Sequence, residues 1–244
     1  MTLAEQSVIT GNWLFRWRGF LPICFIAIIL PAFVGFRYPN DSRLSYVVLW
    51  LACMGISLVG VLIRAYTVGF AAKGTSGRNT KEGQIAETLN RSGIYSMVRN
   101  PLYLGNFIIM LGQIILLGSA WCVLVYILSF WLYYERIIMA EEDFLKKKFG
   151  AVYEDYARLT PAFIPKPSLW KKTTLTFSPA FMLRKESHGF LVMMIIFSAL
   201  GIVSDYAVSG SLSVDRLWLW ILGITTGVYV LINLVIKKQL NHVG

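Results

Sequence analysis

The residues best suited to chemistry lie in one short stretch, YSMVRNPLYLGN, at positions 95–106. Arg99 carries a fixed positive charge, while Asn100 and Pro101 are typical of a helix start. Gly105 permits close approach of another backbone. A helix N-terminus beside an arginine binds anions readily, so this stretch predicts a site for an anionic group. Helix capping and aromatic anchoring at a membrane surface would explain the same residue types, except the arginine and the glycines.

A pair of carboxylates, Glu141 and Glu142, follows further along the chain. A solvated helix face would account for them, because acidic and basic residues four apart stabilise an exposed helix. However, Gly118 and Ser119 leave room only for a tight turn between the two apolar segments on either side. The far ends of those segments must then be neighbours, so we expect Arg99 to face the two carboxylates across a small gap. Such a pocket suits a zwitterionic ligand that has a carboxylate, an ammonium group and hydroxyls.

Other ionisable residues lie deeper in apolar surroundings. Glu135 and Arg136 come about two helical turns before the carboxylate pair, and Arg64 ends an apolar segment. Charges at such depth are candidates for function, although an arginine near a helix end commonly extends to the membrane surface instead. Tyr153 and Tyr156 share one face of a predicted helix, which by itself indicates amphipathic packing.

Composition places these residues in a membrane protein. The chain has 244 residues, of which 56% are hydrophobic and 15% charged, more apolar side chain than a soluble domain could bury. We predict an all-α integral membrane fold of about six transmembrane helices, with a cytoplasmic cap of helix and loop at 139–188. The segments long enough to cross an apolar layer of about 30 Å lie near 19–36, 46–72, 102–118, 120–138, 189–207 and 216–236.

The basic residues predict the orientation of these segments. They concentrate in two loops, 73–99 and 146–185, which the positive-inside rule places in the cytoplasm. Both termini should then also be cytoplasmic. We expect a multi-pass protein of a bacterial inner membrane, with the endoplasmic reticulum as the alternative.

Charge and cysteine content argue against two classes of function. The net charge of +10 is explained by cytoplasmic loops, so nucleic acid is not an expected partner. Cys24, Cys53 and Cys122 lie in apolar segments and lack the spacing of metal ligands. We therefore predict neither a disulfide framework nor a metal site.

The order of these blocks resembles a known family. The pattern G-x-Y-x-x-x-R-[HN]-P-x-Y-x-G, then an apolar hairpin, Glu-Glu, F-G-x-x-Y-x-x-Y and a proline loop, is similar to the isoprenylcysteine carboxyl methyltransferase and phospholipid N-methyltransferase family of integral membrane enzymes. The resemblance covers about residues 46–166. The matching positions are Gly93, Tyr95, Arg99, Pro101, Tyr103, Gly105, Glu141, Glu142, Phe149, Gly150, Tyr153, Tyr156 and Pro165.

The resemblance implies that S-adenosylmethionine binds at the cytoplasmic end of a helical bundle and that the acceptor enters from the bilayer. Residues 1–188 would form the methyltransferase core with its cap, and residues 189–244 an added transmembrane hairpin. The catalytic residues would be Arg99, Asn100 and Glu142. The cofactor would contact Gly93, Tyr95, Arg99, Asn100, Pro101, Tyr103, Leu104, Gly105, Glu141 and Glu142.

Two departures from the family pattern bear on the acceptor. Asn100 replaces the usual histidine, and asparagine cannot carry a proton. Leu159 stands where prenylcysteine methyltransferases have an arginine, which weakens the case for a prenylcysteine acceptor. We expect a membrane lipid or a lipid-modified molecule with a phosphate, carboxylate or amine group. The residues expected to contact it are Arg64, Arg78, Glu135, Tyr153 and Arg158.

Two alternatives stay open at this point. Membrane NADPH-dependent sterol-type reductases resemble the same arginine block, but they usually lack the Glu-Glu and Tyr-x-x-Tyr elements found here. A transporter is less expected, because transporters carry charges or broken helices near the middle of the membrane, whereas the candidates here cluster at one surface.

Overall fold

The computed structural model describes residues 1–17, 30–71, 86–211 and 214–241. Its described part is helical, without a β-strand, and also contains short 3-10 helices at Leu30–Phe33, Pro39–Asp41, Ile94–Ser96 and Pro167–Leu169. The α-helices are α1 (Leu3–Trp17), α2 (Arg43–Gly69), α3 (Pro101–Ile115), α4 (Ala120–Phe149), α5 (Ala151–Leu159), α6 (Pro179–Ser209) and α7 (Arg216–Asn241).

Four of these helices are long and apolar enough to cross a membrane, namely α2, α4, α6 and α7 as far as Ile236. The apolar helix α3 is shorter, with 15 residues. The predicted all-α membrane fold is confirmed. Of the predicted span 19–36, residues 19–29 lie outside the described residues, and residues 30–33 form a 3-10 helix rather than part of a long helix.

Local sequence signals set several helix ends. Ser178 caps α6, since its hydroxyl accepts a hydrogen bond from the amide of Phe181 and Pro179 occupies the first helical position. This helix begins well before the predicted span 189–207. At the end of α4, Gly150 has a φ of 54°, which favours glycine, and the chain turns directly into α5. Helix α4 thus continues as far as Phe149, beyond the predicted span 120–138 and into the predicted cap of helix and loop.

Helix α2 is the centre of the bundle. It packs against α3 and α6, while α4 packs against both α3 and α1, and α6 pairs with α7. Contact between α2 and α3 is close at glycines: a Cβ added to Gly60 would lie 2.5 Å from the carbonyl oxygen of Gly105. The small residues thus bring the start of α3 against the second half of α2.

A polar cluster at the far end of the bundle fixes the turn between α6 and α7. Asp205 accepts hydrogen bonds from the Tyr38 hydroxyl at 2.6 Å and from the Trp218 indole at 2.7 Å. Arg43, at the start of α2, forms an ion pair of 2.5 Å with Asp215. We call the opposite end of the bundle, where α2 and α4 end and α3 begins, the Arg99 end.

Candidate active site

The loop before α3 is tied to the segment after α5. The amide of Gly93 donates to the carbonyl of Lys171 at 2.8 Å, and the amide of Lys171 donates to the Ser96 hydroxyl at 2.8 Å. Gly93 has a φ of 60°, a backbone conformation that residues other than glycine rarely adopt. The glycine therefore lets the loop turn back against this segment.

Arg99 joins three elements at the start of α3. Its Nη2 lies 2.8 Å from Oε1 of Glu142 on α4, and its Nη1 donates to the carbonyl of Ala157 on α5 at 2.7 Å. The arginine side chain is only 15% exposed and the glutamate 30%. The structure thus brings this arginine and this carboxylate together at the Arg99 end, partly shielded from water.

Glu141 accepts a hydrogen bond from a different residue. The hydroxyl of Tyr103 donates to Oε1 of Glu141 at 2.8 Å, and the ring of Tyr103 packs against the ring of Tyr134 with centroids 4.7 Å apart. The adjacent carboxylates consequently have separate partners, one an arginine and one a tyrosine. Glu142 is thus held by the residue two positions before α3, and Glu141 is held by a residue of α3.

Asn100 occupies the N-cap position of α3, as its residue type indicates, but its side chain makes no capping hydrogen bond. Its Nδ2 donates instead to the carbonyl of Ala162 at 3.0 Å, while the amide of Arg99 donates to the carbonyl of Pro161 at 2.9 Å. Both loop carbonyls thereby gain donors from the residues that precede Pro101. The asparagine holds the proline loop, residues 160–166, against the start of α3.

Buried tyrosines support the same region. The hydroxyl of Tyr156 donates to the carbonyl of Tyr95 at 2.7 Å, and Tyr153 shares a hydrogen bond with Glu142. Burial raises the pKa of Tyr95 to about 12 and raises the pKa values of Tyr153 and Tyr156 as well. Tyr153 and Tyr156 are therefore protonated at neutral pH and act as hydrogen-bond donors, Tyr153 to Glu142 and Tyr156 to the carbonyl of Tyr95.

A cleft opens next to this arrangement, between the end of α2 and the loop before α3. Its walls combine aromatic rings with small polar groups. They include Tyr66, Phe70, Asn90, Gly93, Tyr95 and Thr173.

Arg64 lies in a second charged cluster beside α3. Its Nε and Nη2 donate to the carboxylate of Glu186 on α6 at 2.8 and 2.9 Å, and its Nη1 donates to Oδ1 of Asn106 at 2.7 Å. Sequence reasoning missed Glu186 and Asn106. Glu186 follows Arg184 and Lys185, so the sequence alone indicates a charged surface patch at this position. The signal that could have found it is a carboxylate at the entry of an apolar helix.

The remaining candidates lie apart from the Arg99 cluster. Glu135 and Arg158 are exposed, and among the described residues no hydrogen bond or ion pair joins either to Arg99, Glu141 or Glu142. Arg78 lies outside the described residues. Pro101, Leu104 and Gly105 are buried and serve the packing of α3.

Comparison with known proteins identifies the family to which the chain belongs. The family model for phospholipid methyltransferase matches residues 47–152. This range contains the Arg99 block, Glu141 and Glu142. The chain belongs to the phospholipid and isoprenylcysteine methyltransferase family. It is a membrane methyltransferase.

Curated relatives of this methyltransferase carry more than one kind of name. The nickel-cobalt-cadmium resistance protein NccN of Alcaligenes xylosoxydans xylosoxydans is 31% identical over 80% of this chain and 85% of its own length. The cobalt-zinc-cadmium resistance protein CzcN of Cupriavidus metallidurans is 30% identical over 84% of this chain and 91% of its own length. A protein-S-isoprenylcysteine O-methyltransferase of Schizosaccharomyces pombe is 32% identical over 47% of this chain and 48% of its own length. No solved structure gives a significant match. The reductase alternative gains no support from these matches.

Proposed function

We propose that the methyltransferase uses S-adenosylmethionine to methylate a lipid or a lipid-modified acceptor at the cytoplasmic surface of the membrane. The observation that carries this proposal is the Arg99–Glu142 pair, held at 2.8 Å where α3 begins and near the basic end of α4. This pair offers a fixed cation and a carboxylate side by side. A ligand that bears both a carboxylate and an ammonium group needs that combination.

The charged groups of the site fit the amino acid portion of S-adenosylmethionine. The Nε atom of Arg99 is buried, and it has no hydrogen-bond partner among the described residues. Buried donors in native proteins are nearly always paired, so this atom calls for an acceptor such as a bound carboxylate. Glu141 and Glu142 would hold the ammonium group and the nucleoside hydroxyls.

The residues that line the cleft suit the base of the nucleoside, but the cleft has a free volume of only about 10 Å³ and must widen to admit it. Tyr66, Phe70 and Tyr95 supply aromatic surfaces, and Asn90 supplies both a donor and an acceptor. Gly93 lies at the boundary between the cleft and the bridge to Lys171. The nucleoside would therefore lie against the loop before α3, next to the charged groups.

The chemistry proposed for the residues is positioning and exclusion of water. S-adenosylmethionine supplies a methyl group on a sulfonium, which already carries a good leaving group. Orienting two reactants is worth about 7–11 kcal/mol in the best intramolecular cases. Asn100 cannot take up a proton. An anionic oxygen acceptor needs no base, whereas an amine must arrive deprotonated, so phosphate, carboxylate and amine acceptors make different demands on this site.

Entry of the acceptor from the bilayer is consistent with the apolar outer face of α4. Large apolar side chains are exposed there, among them Leu124, Leu128 and Trp131. At the Arg99 end, the same helix finishes in Lys146, Lys147 and Lys148. Basic residues at a helix end favour the cytoplasmic side of a membrane. The proposed orientation therefore has the site and both termini in the cytoplasm.

The names of two relatives suggest a consequence of the reaction. NccN and CzcN are named for resistance to divalent metal ions. Divalent cations bind anionic oxygens, and anionic lipids give the membrane a negative surface potential. For this chain we infer that methylation of an anionic oxygen in a head group removes a negative charge and thereby lowers the binding of such ions at the membrane. Cells that lack the protein should then bind more cadmium at their membranes than cells that contain it.

Labelled methyl transfer tests the proposal. The purified protein would be incubated with S-adenosylmethionine labelled in its methyl group and, in separate samples, a total membrane lipid extract or lipid-modified peptides. The products would be analysed by mass spectrometry. We expect the label in a lipid head group, on oxygen or on nitrogen. Label in neither lipid nor lipid-modified peptide, in a preparation that binds S-adenosylhomocysteine, would contradict the proposed acceptor class.

A further inference from the structure

Glu186 is a buried carboxylate in the first part of α6, outside the residues 47–152 that match the family. It is only 7% exposed. Its two oxygens accept from Nε and Nη2 of Arg64 at 2.8 and 2.9 Å, a bidentate arrangement. This geometry fixes both the position and the plane of the guanidinium.

Arg64 passes that constraint to the first turns of α3. Its remaining nitrogen, Nη1, donates to Oδ1 of Asn106 at 2.7 Å. Its aliphatic stem lies against Gly105: a Cβ added there would be 2.5 Å from the arginine Cγ. Arg64 therefore contacts α3 both through a hydrogen bond and through close packing.

Asn106 continues the series of contacts to α4. Its Nδ2 donates to the hydroxyl of Tyr134 at 3.4 Å, a long hydrogen bond. The ring of Tyr134 packs on the ring of Tyr103, and the hydroxyl of Tyr103 donates to Glu141 at 2.8 Å. An unbroken series of contacts thus runs from α6, through α2 and α3, to a carboxylate of the proposed cofactor site.

We propose that Glu186 is a positioning residue for the cofactor site. It holds Arg64 and Asn106, which fix the Tyr134–Tyr103 pair and, through it, the direction of the Glu141 carboxylate. The inference rests on the proposed function of that site. It gives α6 a part in the activity, although α6 contributes no group to the Arg99–Glu142 pair.

Binding of S-adenosylhomocysteine to the full-length protein in detergent tests this inference. Glu186→Gln keeps the size of the side chain but removes its charge, so the guanidinium of Arg64 loses its ionic partner. We expect the dissociation constant to rise by about three- to thirtyfold, the usual range for a residue coupled to a site without touching the ligand.

Two further variants separate positioning from general stability. Asp205→Asn removes a buried carboxylate from the same helix at the far end of the bundle. It should lower the melting temperature but leave the dissociation constant unchanged. Asn106→Leu leaves the Arg64–Glu186 pair intact and interrupts the series beyond it. It should weaken binding as Glu186→Gln does, even if Glu186→Gln does not fold.

The outcomes distinguish this inference from the proposed function. Wild-type affinity in both Glu186→Gln and Asn106→Leu would overturn the positioning role, and so would an equal loss of affinity in Asp205→Asn. A wild-type protein that does not bind S-adenosylhomocysteine would overturn the proposed function itself. The double variant that combines Glu186→Gln with Asn106→Leu should lose no more affinity than the weaker-binding single variant, because both changes interrupt one series of contacts.

Discussion

The guanidinium of Arg99 lies 2.8 Å from the carboxylate of Glu142, although the two residues are 43 positions apart in the chain. The turn at Gly118 between α3 and α4 makes this contact possible, because it brings the end of α4 back to the start of α3. Neither residue alone distinguishes a binding site from a charged surface. Together, and partly shielded from water, they form the basis of the proposed cofactor site.

Glu142→Gln should reduce methyl transfer at least about tenfold, since a hydrogen bond to a charged group is worth about 1.5–3 kcal/mol when its partner stays buried. The neighbouring variant Asp143→Asn is the control. Asp143 pairs with Lys147 at the surface, and such exposed pairs contribute little. Rates of labelled methyl transfer would be compared at saturating acceptor. Equal rates for the two variants would show that Glu142 has no special role.

Asn100→His should retain most activity at both pH 6 and pH 8. A histidine can donate to the carbonyl of Ala162 in either protonation state, and the proposed role of this position is to hold the proline loop. Asn100→Leu, which cannot donate, should lose activity at both pH values. An Asn100→His variant whose activity follows the titration of imidazole would indicate that this position can carry a proton.

Gly60→Ala should destabilise the protein by about 1–3 kcal/mol, because the added methyl group collides with the carbonyl of Gly105 and with Ile109. Gly55→Ala in the same helix is the matched control. Nothing lies within 4 Å of a Cβ there, so the change should stabilise α2 by about 0.5–1 kcal/mol. Thermal unfolding in detergent measures both. Similar shifts in both variants would contradict the close packing of α2 and α3.

Alkaline pH should destabilise the protein in part through Tyr95. Its pKa is raised by burial to about 12 from the ordinary value of 10, so its contribution is complete below pH 10 and is lost as the pH rises towards 12. The melting temperature of Tyr95→Phe should therefore fall less between pH 9 and pH 11 than that of the wild type. Parallel curves for the two proteins would show that this phenol ionises equally in the folded and unfolded states.

The long helices could be predicted because apolar segments of sufficient length must either span a membrane or be buried. Helices α2, α4, α6 and α7 follow from that rule. Helix α1, Leu3–Trp17, was not anticipated. Its apolar residues are mixed with polar ones, and it is stabilised by packing along α4, which hydropathy does not report.

Only part of the site could be predicted, since side-chain partners depend on contacts between distant segments. The approach of Arg99 to Glu142 followed from the order of the helices. The hydrogen bond of Asn100 to Ala162 did not, because capping was the local alternative and the loop carbonyl is 62 positions away. Glu186 was hidden by its basic neighbours, and only the packing of α6 against α2 shows its partner.

Calorimetric titration of the detergent-purified protein with S-adenosylhomocysteine and with NADPH tests the central claim most directly. The wild type should bind S-adenosylhomocysteine and not NADPH. Arg99→Ala should lose that binding, whereas Lys147→Ala, which removes an exposed positive charge, should retain it. Binding of NADPH instead, or undiminished binding of S-adenosylhomocysteine by Arg99→Ala, would contradict the assignment of the cofactor to this site.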